Sequence, residues 1–228
     1  LPITQYGLPL GRAISLGIHE SQSRLYENNL GRSLAFCQGF YPMIQHYFPE
    51  QFKGVDAHSF FKGINKVTPS PIRIESDELH YHFHIMIRYE IEKALIEDSL
   101  QVKDIPEVWN SKYKSYLGLD IADDNTGCIQ DIHWSHGSIG YFPTYSLGSF
   151  YAAQFYTQAQ KEISQLDEKI AAGEAEELLT WLRDRVHQHG QKYTADELCK
   201  NITGEPLNFS YFMDYAKEKY NQIYTLAT

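Results

Sequence analysis

Between Arg12 and Phe40 the apolar residues Ile14, Ile18, Leu25, Leu30, Leu34 and Cys37 recur close to the 3.6-residue repeat of an α-helix. The same period returns through most of the chain. It constrains the fold more than any other feature, because a helix with such a stripe buries it by packing against other elements. Pro42 and Pro49 bracket the end of this first segment and a turn. Ser76 is a suitable N-cap, with Asp77 and Glu78 in the first turn, and the spacing predicts a helix to about Glu97. That helix would bury Leu79, Phe83, Met86, Ile87, Ile91, Ala94 and Leu95. Pro106 and Gly118 delimit a shorter helix. Others are predicted over 145–170, 174–187, 195–201 and 209–227, the last ending at Ala227.

Two stretches break the pattern. Thr68 to Ile74, with Pro69 and Pro71, reads as extended, so at most a short β element is expected near 68–75. Gly127 to Pro143 mixes glycines with His, Trp and Tyr and reads as a structured loop. No internal repeat, low-complexity run or linker divides the sequence. The expectation is a mainly α fold, with one helical domain over residues 1–228.

A net charge of -9, with no long basic run, excludes a nucleic-acid partner. No apolar run approaches the length of a membrane span, so no membrane partner is expected. Cys37, Cys128 and Cys199 are odd in number and lack any Cys-x-x-Cys spacing, which reads as free thiols in a reducing compartment. The 17 tyrosines and 12 phenylalanines suit a peptide-binding cleft and equally a helical core with hydroxyls at its surface. The first residue is Leu1 rather than Met, so the sequence reads as one that starts inside a longer protein.

Three segments carry candidate chemistry. His19-Glu20-Ser21-Gln22 lies in the first helical stretch, where Glu20, Ser23, Glu27 and Gly31 share a face that is either solvated or lines a site. Ile72-Arg73-Ile74-Glu75-Ser76-Asp77 follows, and then Gly127-Cys128-Ile129-Gln130-Asp131-Ile132-His133-Trp134. Each has a plain structural alternative. A helical Glu is usually solvated, and Arg73 is explained equally by a surface pair with Glu75 or Asp77. Trp134 packs, Gln130 and Asp131 close a loop, and His133 satisfies buried backbone groups. The alternating His80, His82 and His84 and the pair His133 and His136 lack the pattern of a metallopeptidase helix and are not expected to bind metal.

In this order the three segments resemble the later signature segments of the carboxypeptidase Taq family of metallopeptidases. The family's Gly-x-x-Gln-Asp-x-His-Trp is matched at every fixed position, and Ser76 stands where Ile/Val-Arg-x-x-Ala-Asp has Ala. The similarity continues through Gly31-Arg32-Ser33, Gly140-Tyr141-Phe142-Pro143 and Thr203-Gly204-Glu205, and so covers essentially the whole chain. The family's His-Glu-x-x-His helix, which holds two metal ligands and the general base, is absent from this sequence. The resemblance therefore implies the helical C-terminal part of a cleft-containing metallopeptidase.

It implies Glu20 as one ligand of a zinc or cobalt ion in the intact enzyme, with no active-site metal in this chain alone. Ser23 and Glu27 reproduce, from Glu20, the three- and seven-residue offsets of related thimet-oligopeptidase-like enzymes. His19, Ser23, Glu27 and Asp77 are then supporting residues, Asp77 capping a helix or holding Arg73. Arg73 would read the carboxylate of peptide substrates with a free C-terminus. Gln130 and Asp131 would belong to the substrate site, fixing the His133 tautomer or aiding the loop. His133 would donate to the oxyanion, with Tyr141 first and Tyr145 second as its partner. The implied activity is broad-specificity removal of C-terminal residues by a cytoplasmic homodimer, this chain being inactive alone. The alternatives are an oligopeptidase-like metallopeptidase and a non-enzymatic helical binding or oligomerisation module.

Overall fold

The computed structural model describes residue 1 and residues 3–225. Among these, every regular element is helical and none is a strand. The helices are α1 (Leu16–Arg24), α2 (Leu34–Tyr47), α3 (Ala57–Ile64), α4 (His80–Ile96), α5 (Ile105–Leu117), α6 (Pro143–Glu162), α7 (Leu166–Ala171), α8 (Glu176–Arg185), α9 (Ala195–Thr203) and α10 (Ser210–Tyr224). The contacts group them into two compact units, one of Leu1–Asn65 with the chain from Leu147 onward, the other Lys66–Ser146. The expected single domain over 1–228 stands beside this division.

In the first unit Ser15 caps α1 by accepting from Ile18 N at 3.1 Å, and Ser33 caps α2 through Phe36 N at 3.1 Å. Between them, Leu25–Leu30 forms a π-helical turn, closed by Gly31 N donating to Tyr26 O at 2.9 Å. The stretch read as one helical segment is thus two helices joined by a turn. Pro42 lies inside α2 rather than bounding it. Ile18, Leu25, Leu30, Phe155, Leu178, Leu182, Leu198 and Ile202 are buried in one apolar cluster, which explains why α1, α6, α8 and α9 keep apolar residues at helical spacing. At Gly148 of α6 an added Cβ would sit 2.6 Å from Glu20 Cγ and 3.1 Å from its backbone carbon. Only glycine allows this approach to α1.

The helix predicted over 145–170 is broken at residues 163–165, where Gln165 has φ +57°. A side chain in the left-handed region costs the run its continuity. Thr194 and Glu197 form a reciprocal capping box that starts α9. The last predicted helix forms as α10, and its expected end at Ala227 lies outside the described residues.

In the second unit the sequence 68–75 is not a strand. It ends in a 3-10 turn at Arg73–Glu75. The cap of α4 lies at Asp77 rather than Ser76: Asp77 Oδ1 accepts from Leu79 N and His80 N, both at 3.0 Å. Gly118, with φ +71°, ends α5 as expected. The predicted inner face of α4 is displaced. Phe83 and Met86 are 40% and 46% exposed, whereas Tyr81, His84, Arg88 and Glu92 are buried beside Ile87 and Ile91. Those polar residues turn inward because each finds a partner there.

Two glycines give opposite expectations. Gly148→Ala should destabilise by about 1–3 kcal/mol through overpacking against Glu20. Gly63→Ala, in α3 with nothing within 4 Å of the new Cβ, should stabilise by about 0.5–1 kcal/mol. Urea unfolding of both variants measures the two signs.

Candidate active site

Asp131 is the centre of the second unit's polar interior. Its Oδ1 accepts from Arg73 Nε at 2.9 Å and lies 2.7 Å from Arg73 Nη2. Its Oδ2 accepts from Arg88 Nε and pairs with Arg88 Nη2, both at 2.6 Å. Arg73 Nη1 donates to Tyr81 OH at 2.8 Å. Arg88 Nη1 donates to His84 O at 2.9 Å and Tyr113 OH at 3.2 Å, and its guanidinium lies over the Trp109 ring at 4.5 Å. Burial pushes the Asp131 carboxyl up, but Arg88 and Arg73 outweigh it and hold it below its ordinary range.

Gln130 fixes the backbone around this cluster. Its Oε1 accepts from Arg73 N at 2.8 Å, and its Nε2 donates to Pro71 O, Thr126 O and Gly127 O at 2.9–3.1 Å. The segments Ile72–Asp77 and Gly127–Trp134 are therefore joined by adjacent side chains. Glu92 braces the far end of the loop, accepting from Trp134 Nε1 at 2.8 Å and Gly140 N at 3.0 Å.

His133 Nε2 lies 2.9 Å from Tyr145 OH, and its ring centroid is 4.4 Å from that of Phe142 and 5.5 Å from that of Tyr141. Its Nδ1 is 4.0 Å from Asp131 Oδ1, beyond a hydrogen bond, and has no partner among the described residues. Burial, reinforced by Arg73, lowers the His133 pKa and favours the neutral ring. Asp77 takes the capping role: its Oδ2 also accepts from Thr68 N at 3.0 Å and meets His80 Nδ1 at 2.6 Å. The alternating histidines are tied separately, His80 to Asp77, His82 to Ser146 Oγ and His84 to Tyr113 OH.

In the first unit Glu20 is 18% exposed, and its Oε1 accepts from Arg24 Nε at 3.1 Å. Arg24 Nη1 donates to Glu27 Oε2 at 2.9 Å, so one guanidinium links both carboxylates. Ser23 Oγ donates to the Glu20 carbonyl, not to its carboxylate. His19 is exposed. Among the described residues no three His, Cys, Asp or Glu side chains gather closely enough to hold a metal ion.

Arg88, Glu92 and Tyr81 were missed in the sequence because each reads as an ordinary helical residue. The signal available was their spacing: Tyr81, His84, Arg88 and Glu92 fall three or four residues apart and so share one face of α4.

A family model for carboxypeptidase Taq (M32) metallopeptidases matches residues 1–220. Carboxypeptidase 1 of Bacillus subtilis is 43% identical over 220 residues, covering 96% of this chain and 44% of that protein. Thermostable carboxypeptidase 1 of Thermus thermophilus is 42% identical over 224 residues, covering 98% of this chain and 44% of its own. The crystal structure of an M32 carboxypeptidase from Deinococcus radiodurans R1 matches with a TM-score of 0.95 at 36% identity, covering 99% of this chain and 46% of that one. The chain thus spans less than half the length of these relatives.

Asp131→Asn should cost about 3–5 kcal/mol, because it leaves two buried guanidiniums without their carboxylate. Acid sensitivity has a second source. Burial, then Arg88, depresses the His84 pKa to about 3 from 6.5, so the unfolded chain binds this proton first. Its contribution is complete above pH 6.5 and is lost as pH falls towards about 3. His84→Asn should flatten that part of the stability curve, measured as urea midpoints against pH.

Proposed function

Since the chain belongs to the carboxypeptidase Taq (M32) metallopeptidase family, we propose that it supplies part of an enzyme removing C-terminal residues from peptides by metal-dependent hydrolysis. The observation that carries this reading is the shared Asp131 carboxylate, which fixes Arg73 in the same buried cluster as His133 and Tyr145. Arg73 is assigned to the substrate's terminal carboxylate. A guanidinium already immobilised by Asp131 and Tyr81 offers its remaining N–H groups without losing further side-chain freedom. Gln130 and Asp131 act on substrate through Arg73, one holding its backbone and the other its side chain.

His133 and Tyr145, paired at 2.9 Å, are assigned to the developing oxyanion, with Tyr141 packed against both rings. A neutral imidazole suits this role because it donates one hydrogen bond without bringing a proton to the leaving group. Glu20 is the carboxylate this chain offers to a zinc or cobalt ion, and residues outside the chain complete the ligand set and supply the general base. Its support is a partly buried carboxylate steadied by Arg24. Broad tolerance of peptide sequence, a homodimeric assembly and a cytoplasmic setting belong to the same proposal and rest on family membership.

The full-length enzyme containing this chain should cleave a blocked peptide acid and lose most activity on the matching amide. Equal rates on both would favour internal cleavage, as in an oligopeptidase-like enzyme. This chain alone, given zinc or cobalt, should show no turnover above the blank; measured turnover refutes the need for outside ligands. In the full-length enzyme Glu20→Gln should strip bound metal, and an unchanged metal content removes Glu20 from the ligand set.

A further inference from the structure

Two guanidiniums share one carboxylate in the interior of the second unit. The side chains of Arg73, Arg88 and Asp131 are 8%, 0% and 10% exposed, so water screens none of them well. The groups around them do not restore neutrality. Burial, with the arginines adding to it, keeps His84 and His133 uncharged at neutral pH. Burial pushes the Tyr113 phenol up, so it adds no charge there. Glu92, the next carboxylate along α4, bonds to Trp134 Nε1 and Gly140 N and is paired with neither arginine among the described residues. Counted over its direct ion pairs, the triad of Arg73, Arg88 and Asp131 carries one positive charge in excess.

The two arginines are held differently. Arg88 meets Asp131 through two contacts of 2.6 Å, is closed in by His84 O, Tyr113 OH and the Trp109 ring, and has no exposed surface. Arg73 meets Asp131 through longer contacts of 2.9 and 2.7 Å, sits on the adjoining 3-10 turn, and retains some exposure. We propose that Arg88 is a specificity-determining residue: by neutralising Asp131 it leaves Arg73 with an uncompensated charge that selects peptides ending in a free carboxylate. This deepens the reading in which Arg73 meets the substrate terminus, and rests on it. Without Arg88, Asp131 would be the counter-ion of Arg73. The fork would keep its place but lose its net charge, and the preference for an anionic terminus would fall with it. Arg88 itself is a positioning and charge-setting residue, since it acts only through Asp131.

The test uses the full-length enzyme with a peptide acid and its amide. Arg88→Met should reduce the acid-to-amide ratio of kcat/KM about ten-fold or more, mainly by raising KM for the acid, with the amide little changed. The double variant Arg88→Met with Asp131→Asn returns the cluster to one net positive charge. It should recover a large part of the lost preference. A purely structural role for Arg88 would lower both substrates together and would not be rescued by the second change; either result overturns the proposal. A wild-type enzyme with no acid preference overturns the parent reading and this inference with it. A wild-type preference that survives in Arg88→Met overturns this inference alone. Where the single variant cannot be folded, a double variant lacking the preference decides against it.

Discussion

Asp131 closes two long loops of chain at once, reaching Arg73 58 residues earlier and Arg88 43 residues earlier. Each charge pays a large desolvation cost to be there, and only mutual pairing in a low dielectric offsets it. The geometry is suited to that offset. Both carboxylate oxygens take two guanidinium contacts, Arg73 Nη1 donates to Tyr81, and Arg88 Nη1 donates to Tyr113 and the His84 carbonyl. Two further side chains of the second unit extend this arrangement. Gln130 is placed beside Arg73 N by its chain neighbour, and Glu92 holds the distal loop from one turn further along α4. An isolated loop with this glycine content has no apolar stripe to fix it, so side-chain bonds must.

The helical class, the extent of α5 to Gly118 and the loop nature of residues 127–142 were all legible in the sequence, since each depends on local signals. The phase of α4 was not. Its pattern offers Phe83 and Met86 as core residues, and the molecule exposes both while burying His84, Arg88 and Glu92. A charged residue reads as exposed until its partner is known, and the partners lie some 25–50 residues away in the chain, at Tyr113, Asp131, Trp134 and Gly140. Pro42 inside α2, the π turn after Arg24 and the break at Gln165 escaped for a related reason. Tertiary packing there overrides weak local preference. Conversely, the adjacency of Gln130 and Asp131 did foreshadow a loop closure, although its target, the Arg73 turn, needed coordinates.

The first unit presents a different chemistry. Glu20 and Glu27 share Arg24, and α6 presses on Glu20 through a glycine, so the carboxylate at position 20 is restrained by one cation and by packing. Such restraint suits a ligand that must keep its aim, but a lone carboxylate is far short of a coordination shell. The π turn that follows adds a second kind of constraint. It leaves the Asn28 carbonyl to accept from Tyr215 OH at 3.1 Å and Lys219 Nζ at 3.4 Å, tying α1's exit to α10. Bulges of this type cost regular hydrogen bonds, and here side chains from a distant helix supply the replacements.

Stability alone does not account for the Arg73, Asp131 and Arg88 cluster. Buried ion pairs and triads are often no better for folding than apolar side chains of similar volume. The surroundings favour the apolar choice, since Ile87, Ile91, Trp109 and Phe142 already line the same interior. A triad selected only to hold the loop would also be expected to balance its charges, because an odd buried charge adds solvation cost without adding a contact. In this one a single carboxylate pairs directly with two guanidiniums. The excess cation and the rigid fork beside it make physical sense when a carboxylate from outside completes the set, as binding then recovers part of the cost incurred in folding.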